Sequence, residues 1–472
     1  MTGEPNLPRP LAARPTTAAD IAARLDRLPA SPRLLTLVLL LSLGGFFEIY
    51  DLIVTPYIAP GLARSGLLAT TTATFFGLQG IAGFIAATFA GLFVGTFGLG
   101  FLPDRYGRRA VFTGALLWYC AASAVMAFQS QAEGLLFWRF VTGIGVGIEI
   151  VTIDVYITEL VPQHLRGRAM AFNQAVMFTA APVAALLSYV LGPTAYAGIE
   201  GWRWVVLVGC FGAVAVWFIR RAIPESPRWL ADRGRIAEAD RIVAAIEARV
   251  QREHGAPLPA PQAARATAAA ERTRAGTGTT PYRTRIAMLV VFNLFQAIGY
   301  YGFANWVPTL LIGQGITVTK SLGYAFIIAF ALPIGPLLAL GVADRVERKW
   351  LIVGSALAVV VFGLAFGQLR EPWLLTVCGV LISLAGQLIS VSYHAYQAEL
   401  FPTAVRARAS GLVYSASRVG AMLSGFLIAW LLRQHGVAGV FVGITGCMIV
   451  VALAIAVFGP RTNGVPLEDL SR

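Results

Sequence analysis

The sequence predicts an all-α membrane protein of twelve transmembrane helices arranged as two six-helix halves. Three observations lead there. Of 472 residues, 57% are hydrophobic and only 13% are charged, with a mean hydropathy of +0.69. Soluble domains carry about 25% charged residues. The chain also divides into twelve apolar runs, each close to the roughly 20 residues that cross a bilayer. Finally, two charged motifs of the first half recur in the second at a single offset of 240 positions.

Residues 1–34 read as a polar N-terminal tail. The first apolar run is too long for a signal-peptide core and is expected to be retained as span one. Runs near 35–59, 74–98, 111–129, 135–157, 169–191 and 203–221 make a first bundle over 35–221. The hydrophilic interval 222–284 follows; Ile236–Gln251 alternates apolar and charged groups at helical spacing, and Pro257–Thr280 reads as flexible. Runs near 286–311, 321–341, 351–368, 373–394, 410–432 and 438–458 make the second bundle over 285–458, and 459–472 is a short tail.

The net charge of +13 invites a nucleic-acid reading, but its distribution argues against one. With both termini in the cytoplasm, about 30 of the 37 Lys and Arg fall inside, which is the positive-inside bias. Outside lie Arg64, Arg203, Lys320, Arg370 and Arg433, and within spans lie Arg139 and Arg418. The partners expected are therefore a lipid bilayer and small solutes, with no nucleic acid. Cys120, Cys210, Cys378 and Cys447 all sit in apolar runs, and His164, His254 and His435 are scattered across loops. Neither a disulfide framework nor a metal site is expected.

The repeat relates Asp104, Arg105, Gly107, Arg108 and Arg109 to Asp344, Arg345, Glu347, Arg348 and Lys349, and Glu159, Arg166 and Arg168 to Glu399, Arg406 and Arg408. Parallel repeats about an axis normal to the membrane place a substrate site between them. Gly107 allows positive φ in a tight turn, and Asp104 can cap the next helix or pair with an Arg. Glu159 and Glu399 are placed to accept hydrogen bonds from these arginines. Such a network is expected to hold the cytoplasmic ends together in one state and break in the other; the alternative is that the basic residues only fix orientation.

At these motifs the chain closely resembles the major facilitator superfamily, over nearly its whole length. Gly100-x-Leu102-x-Asp104-Arg105-x-Gly107-Arg108-Arg109 is similar to that superfamily's loop between spans two and three, with Glu347 replacing Gly in the second copy. Arg139, Gly143, Gly145 and Gly147, then Tyr156, Glu159, Arg166 and Arg168, resemble span four of sugar porters and metabolite:proton symporters. Pro224-Glu225-Ser226-Pro227-Arg228-Trp229-Leu230 resembles their signature after span six. Glu48-Ile49-Tyr50-Asp51 resembles the acidic pair of aromatic-acid:proton symporters, with Glu in place of the first Asp. Tyr50-Asp51 also suits sugar porters, whereas Phe295-Gln296-Ala297-Ile298-Gly299 departs from their span-seven pattern. Span five lacks the glycines that mark many drug antiporters.

The resemblance implies the major facilitator fold and a secondary active transporter rather than an enzyme, needing no cofactor. It implies proton-coupled uptake of a small organic anion by a monomer in a bacterial inner membrane. The alternatives are a proton-coupled sugar or polyol porter and a membrane sensor that binds a metabolite without moving it.

Ionisable groups in hydrocarbon cost several kcal/mol and usually face the bundle interior. Glu48 and Asp51, three apart, share a helix side, and either is a candidate proton carrier. Arg139 is the expected partner of Asp51, as a coupling element or as a permanent structural pair. Glu149, ten residues past Arg139, either handles protons or pairs with another helix. Gly143, Gly145 and Gly147 are expected to allow close helix approach. Arg418 offers a planar fork to a carboxylate, or pairs with an acid elsewhere. Gln296, Tyr300, Tyr301 and Asn305 of span seven, with Gln387 and Tyr393 of span ten, are candidate cavity-lining groups.

Overall fold

The computed structural model describes residues 16–255, 257–261, 279–342, 346–400 and 403–461. Among the described residues the fold is all-α apart from one hairpin. Helices α1 (Ala18–Asp26), α2 (Pro32–Ile53), α3 (Thr55–Arg64) and α4 (Ile81–Phe93) are followed by a π-helical turn, Val94–Gly98. Then come α5 (Leu102–Tyr106), α6 (Arg108–Ala127), α7 (Ala132–Leu160), α8 (Arg166–Phe178) and α9 (Ala180–Leu191). A two-residue turn at Ala197 and Gly198, both at positive φ, joins β1 (Ala195–Tyr196) to β2 (Ile199–Glu200). Next are α10 (Gly201–Gly209), α11 (Gly212–Ala222), α12 (Pro227–Asp232) and α13 (Ile236–His254). The second set comprises α14 (Thr279–Ala304), α15 (Val307–Gly313), α16 (Val318–Ala329), α17 (Ala331–Val342), α18 (Arg348–Gln368), α19 (Pro372–Glu399) and α20 (Thr403–Phe458).

Ten helices among the described residues are long and apolar enough to cross a membrane, where the sequence shows twelve apolar runs. Two local features account for the difference. The run near 203–221 is interrupted at Cys210 and Phe211, leaving α10 and α11 with 9 and 11 residues. The last two runs are joined as one 46-residue stretch, Val413–Phe458. At 1.5 Å per residue such a stretch would extend about 69 Å, more than twice the bilayer core. It folds back instead at Gly436 (φ 64°, ψ −164°), so that a Cβ on Gly443 would lie 2.5 Å from the Leu431 side chain.

Helices α2 to α11 pack mainly on one another, as do α14 to α20, and the two sets meet along α4 with α20, α8 with α17, α9 with α16 and α3 with α15. Phe75 and Phe76 lie against Phe426 at the end remote from Asp104 and Arg108. The outer surface is apolar: Phe97, Phe128, Phe211, Phe218, Val361, Trp373 and Val442 are all exposed. A face of this kind matches hydrocarbon, because helices satisfy their own backbone groups there.

A second, smaller core lies outside the membrane-spanning helices. Ile21, Leu25 and Leu28 around α1 pack with Leu230, Ala239, Val243, Ile246 and Val250 of α12 and α13. A capping box starts α1, with the Thr17 and Asp20 side chains each accepting from the other's backbone N–H. The clamp is electrostatic: Arg24 Nη2 lies 2.6 Å from Glu247 Oε2, Arg27 Nη2 lies 2.6 Å from Glu247 Oε1, and Arg24 also pairs with Asp240. Burial alone would raise the Glu247 carboxyl, but hydrogen bonds from Arg24 and Arg27 outweigh it and hold the group below its ordinary value of 4.5. Because the folded pKa is the lower one, this contribution is fully present above 4.5 and is lost as pH falls through the lowered value. Glu247→Gln should therefore speed amide hydrogen exchange across residues 18–28 about tenfold at neutral pH, with exchange in α7 unchanged.

Candidate functional site

Close backbone contact between α4 and α7 sets the site. A Cβ on Gly91 would lie 2.2 Å from Phe140 O and one on Gly147 would lie 2.4 Å from Leu92 O, so only Gly fits on either helix. This is the close approach expected for Gly143 and Gly147; Gly145 instead faces Trp118 and Tyr119 of α6. One turn from Gly143, the fully buried Arg139 is thereby brought against α2 and α4.

Arg139 Nη1 donates to Asp51 Oδ2 at 2.9 Å, Nη2 donates to Asp51 O at 2.7 Å and Thr55 Oγ1 at 3.1 Å, and Nε donates to Thr88 Oγ1 at 2.8 Å. Ser123 Oγ donates to Asp51 Oδ1 at 2.6 Å, and the Phe84 ring covers the guanidinium at 5.1 Å. The expected Asp51–Arg139 pair is present, with both carboxylate oxygens accepting and all three guanidinium nitrogens donating. A buried pair repays its desolvation only with such additional hydrogen bonds.

Glu48 and Glu149 differ sharply from Asp51. Both are 0% exposed; neither oxygen of Glu48 has a hydrogen-bond partner, and the Tyr119 hydroxyl of α6 lies within hydrogen-bonding reach of Glu149. Glu149 Oε1 is 3.4 Å from where a Cβ on Gly44 would lie, one turn before Glu48 on α2. The two carboxyls are within electrostatic reach of each other, and Glu48 also faces Asp154 of α7 and Arg418 of α20.

Arg418 approaches from the second set of helices. It is buried; its Nη2 donates to Tyr414 Oη at 3.1 Å, the guanidinium lies 4.7 Å from the Tyr414 ring centre, and its Nε has no partner. Among the described residues no carboxylate is ion-paired to it. Tyr301 faces Arg418 and meets Phe89 of α4 edge-on at 4.6 Å, so it bridges the two sets of helices. The exposed His394 ring packs edge-on against Tyr414. Gln296 and Tyr300 line a narrow cleft with Ser383 and Gly386, and Gln387 Nε2 donates to Tyr300 Oη at 3.3 Å. Asn305 is buried with an unpartnered Nδ2, whereas Tyr393 stacks on Phe292 at 4.5 Å. Of the six span-seven and span-ten candidates, Gln296 and Tyr300 line this cleft and Gln387 adjoins it.

The charged turns form a separate assembly. Arg108 Nη2 lies 2.8 Å from Glu159 Oε1 and its Nη1 lies 2.8 Å from Asp104 Oδ1. Gly107 sits at φ 99°, and a Cβ there would lie 2.6 Å from Glu225 Oε2. Glu225 Oε1 accepts from the backbone N–H of Arg108 at 3.0 Å and of Arg109 at 3.2 Å, capping α6 from a distant segment. Arg228 donates to Glu159 O and pairs with Asp26 at 2.8 Å, tying α1 to this turn. Glu225, Arg228 and Asp26 were not singled out as gate residues from sequence; the span-six signature was the available signal for two of them. Arg105 lies over the Tyr106 ring, Arg166 has an unpartnered Nε, and Arg168 is exposed. Arg348 opens α18. Asp344 and Arg345 lie outside the described residues, as do the side chains of Glu399, Arg406 and Arg408.

The family model for "Sugar (and other) transporter" matches residues 37–472. The niacin transporter NiaP of Acinetobacter baylyi is 28% identical over 96% of this chain and 99% of its own length. The inner membrane metabolite transport protein YdjE of Escherichia coli is 29% identical over 96% and 98%. The xylose transporter XylE of E. coli, in a partially occluded inward-open conformation, superimposes with a TM-score of 0.73 over 92% of this chain and 100% of its own, at 20% identity. That overlap establishes the fold.

Removing one partner of a buried pair leaves an uncompensated charge. Asp51→Ala should therefore lower stability by roughly 3–5 kcal/mol, read as denaturant unfolding in detergent. Adding Arg139→Ala should cost less than the sum of the two single changes.

Proposed function

Because the chain belongs to the sugar (and other) transporter family of the major facilitator superfamily, we propose that it imports a small organic acid together with protons by alternating access. The chain is a membrane-embedded secondary transporter of the metabolite and sugar–proton symporter branch, and the family is one of transporters rather than enzymes.

In this reading twelve spans form two six-helix halves, 35–221 and 285–458, with both termini and the segment 222–284 in the cytoplasm of a bacterium and the spans in its inner membrane. The fold-back at Gly436 and the interruption at Cys210 support the count. Relatives described as inner membrane transport proteins support the location. The Arg108–Glu159 turn and its second-half counterpart act as the cytoplasmic gate, Glu48, Asp51, Arg139 and Glu149 couple the proton, and Arg418 with the polar groups of spans seven and ten receives the substrate.

Arg418 is the observation that carries the acid reading. A buried guanidinium with a free Nε–H and, among the described residues, no ion-paired carboxylate matches a ligand that brings its own negative charge, since Arg binds carboxylates through its fork. Tyr300, Tyr301 and Tyr414 add flat apolar surface with polar tips. The comparisons lean the other way, toward a proton-coupled sugar or polyol porter: the family description names sugar, and a D-xylose–proton symporter shares the fold at a TM-score of 0.70. The niacin transporter among the relatives supports the acid.

Uptake into proteoliposomes of nicotinate, benzoate, shikimate and xylose, with and without an inward proton gradient, decides between them. The acid reading expects gradient-driven accumulation of a carboxylate, abolished by a protonophore. Arg418→Ala should then cut carboxylate uptake at least tenfold, as expected for losing a charge-assisted hydrogen bond of about 1.5–3 kcal/mol. Accumulation of xylose alone would transfer the assignment to the sugar reading, and ligand binding without accumulation would indicate a sensor.

A further inference from the structure

A cavity of about 410 Å³ lies where the start of α6 meets the start of α13, and it shares no residue with the cleft beside Tyr300. That volume is within the roughly 300–1,000 Å³ of small-molecule pockets, yet much of the wall is charged. Helix α6 contributes Arg109 and Thr113, α13 contributes Glu238 with Arg235 just before it, and Glu225 closes the side.

Both acids in this wall already have work. Glu225 Oε1 accepts from the backbone N–H groups of Arg108, Arg109 and Ser226, so its charge serves the start of α6. Glu238 pairs with Arg235 three residues away, and both side chains are more than a third exposed. An exposed pair of that kind contributes little, so Arg235 can exchange it for a stronger partner. A phosphate is such a partner, because a guanidinium grips it through two parallel N–H donors. Arg109 lines the same volume, which places two guanidinium groups around one anion.

The floor of the cavity indicates what else the ligand carries. Ala110 and Gly114 line it, and both are exposed. A Cβ on Gly114 would meet no atom within 4 Å among the described residues, so this glycine makes room for no neighbouring helix. From there the same exposed face of α6 continues through Leu117, Trp118, Ala121 and Val125, at the spacing that keeps residues on one side of a helix. Helix α11 packs beside α6 and exposes Val214 and Phe218. The charged cavity and the apolar outer face therefore share Ala110 and Gly114. A soluble anion gains nothing from that face, whereas an acyl chain does.

We propose that this cavity binds a phospholipid of the adjoining leaflet, with its phosphodiester held between Arg109 and Arg235 and an acyl chain lying over Gly114 along α6. The leaflet is the cytoplasmic one in the topology proposed above, and basic pockets at that face of a membrane protein suit anionic headgroups. The bound lipid touches both α6 and α13, and so fastens the segment after span six to the helix that Glu225 caps.

Native mass spectrometry of the full-length protein in detergent, titrated with phosphatidylglycerol, tests the assignment, with circular dichroism confirming the helical fold of each variant. Combining Arg109→Gln with Arg235→Gln should raise the lipid concentration that half-fills the tightest site about tenfold. Gly114→Phe stands in open space on the outer face and should also raise it about tenfold, by occupying the path of the acyl chain. Unchanged retention in either variant overturns the proposal. Glycerol 3-phosphate carries the phosphate without the chains and should compete poorly; competition equal to that of the lipid would make the cavity a site for a soluble anion and overturn the proposal too. Should the double variant unfold, Arg235→Gln alone, on an exposed side chain, must weaken retention, and its failure to do so overturns the proposal equally. Neither arm depends on which solute is carried, so a failure of the substrate reading leaves this test intact.

Discussion

The hydrogen-bond saturation of Arg139 is the constraint on which the first half of the molecule depends. A guanidinium with 0% exposure is tolerable in hydrocarbon only if its donors are occupied, and here Asp51, Thr55 and Thr88 accept them from three different helices, α2, α3 and α4. That demand fixes the spacing of α2, α4 and α7, and the glycine contacts between α4 and α7 make the spacing attainable.

A second electrostatic layer lies where the spans end. Glu225 caps the start of α6 through two backbone N–H groups, and only a glycine at 107 leaves room for it. Arg228 then links the same turn to Asp26, and α1 is held to α13 by Arg24, Arg27 and Glu247. Rearrangement of the Arg108–Glu159 turn would therefore be felt by the N-terminal helix, because the contacts are continuous and mostly half-buried.

Much of this was legible in the sequence because charge is so costly inside a membrane. Asp51 and Arg139 stand out in apolar runs, and their pairing follows from the cost of leaving either alone. Arg108, Asp104 and Glu159 were legible from the repeat, and Gly143 and Gly147 from their four-residue spacing. The hydroxyl partners Thr55, Thr88 and Ser123 were not, since a Thr or Ser in a span ordinarily bonds its own helix, as Thr152 does with Ile148 O. Glu225 was hidden because its partners are more than a hundred positions away. Helix α1 lay within what reads as a polar tail, although Thr17, Asp20, Ile21 and Leu25 carry a capping box and an apolar stripe. The ten-helix outcome reflects interruptions and a fold-back at Gly436, which no count of apolar runs can resolve.

The central claim is that proton and substrate are bound by one electrostatically linked group spanning both sets of helices. Calorimetric titration of the purified protein with its transported metabolite, in two buffers of different ionisation enthalpy, tests it most directly. The account predicts uptake of about one proton per ligand bound and tighter binding at lower pH. Equal heats in both buffers, with an affinity that does not change between about pH 5.5 and pH 8, would contradict it.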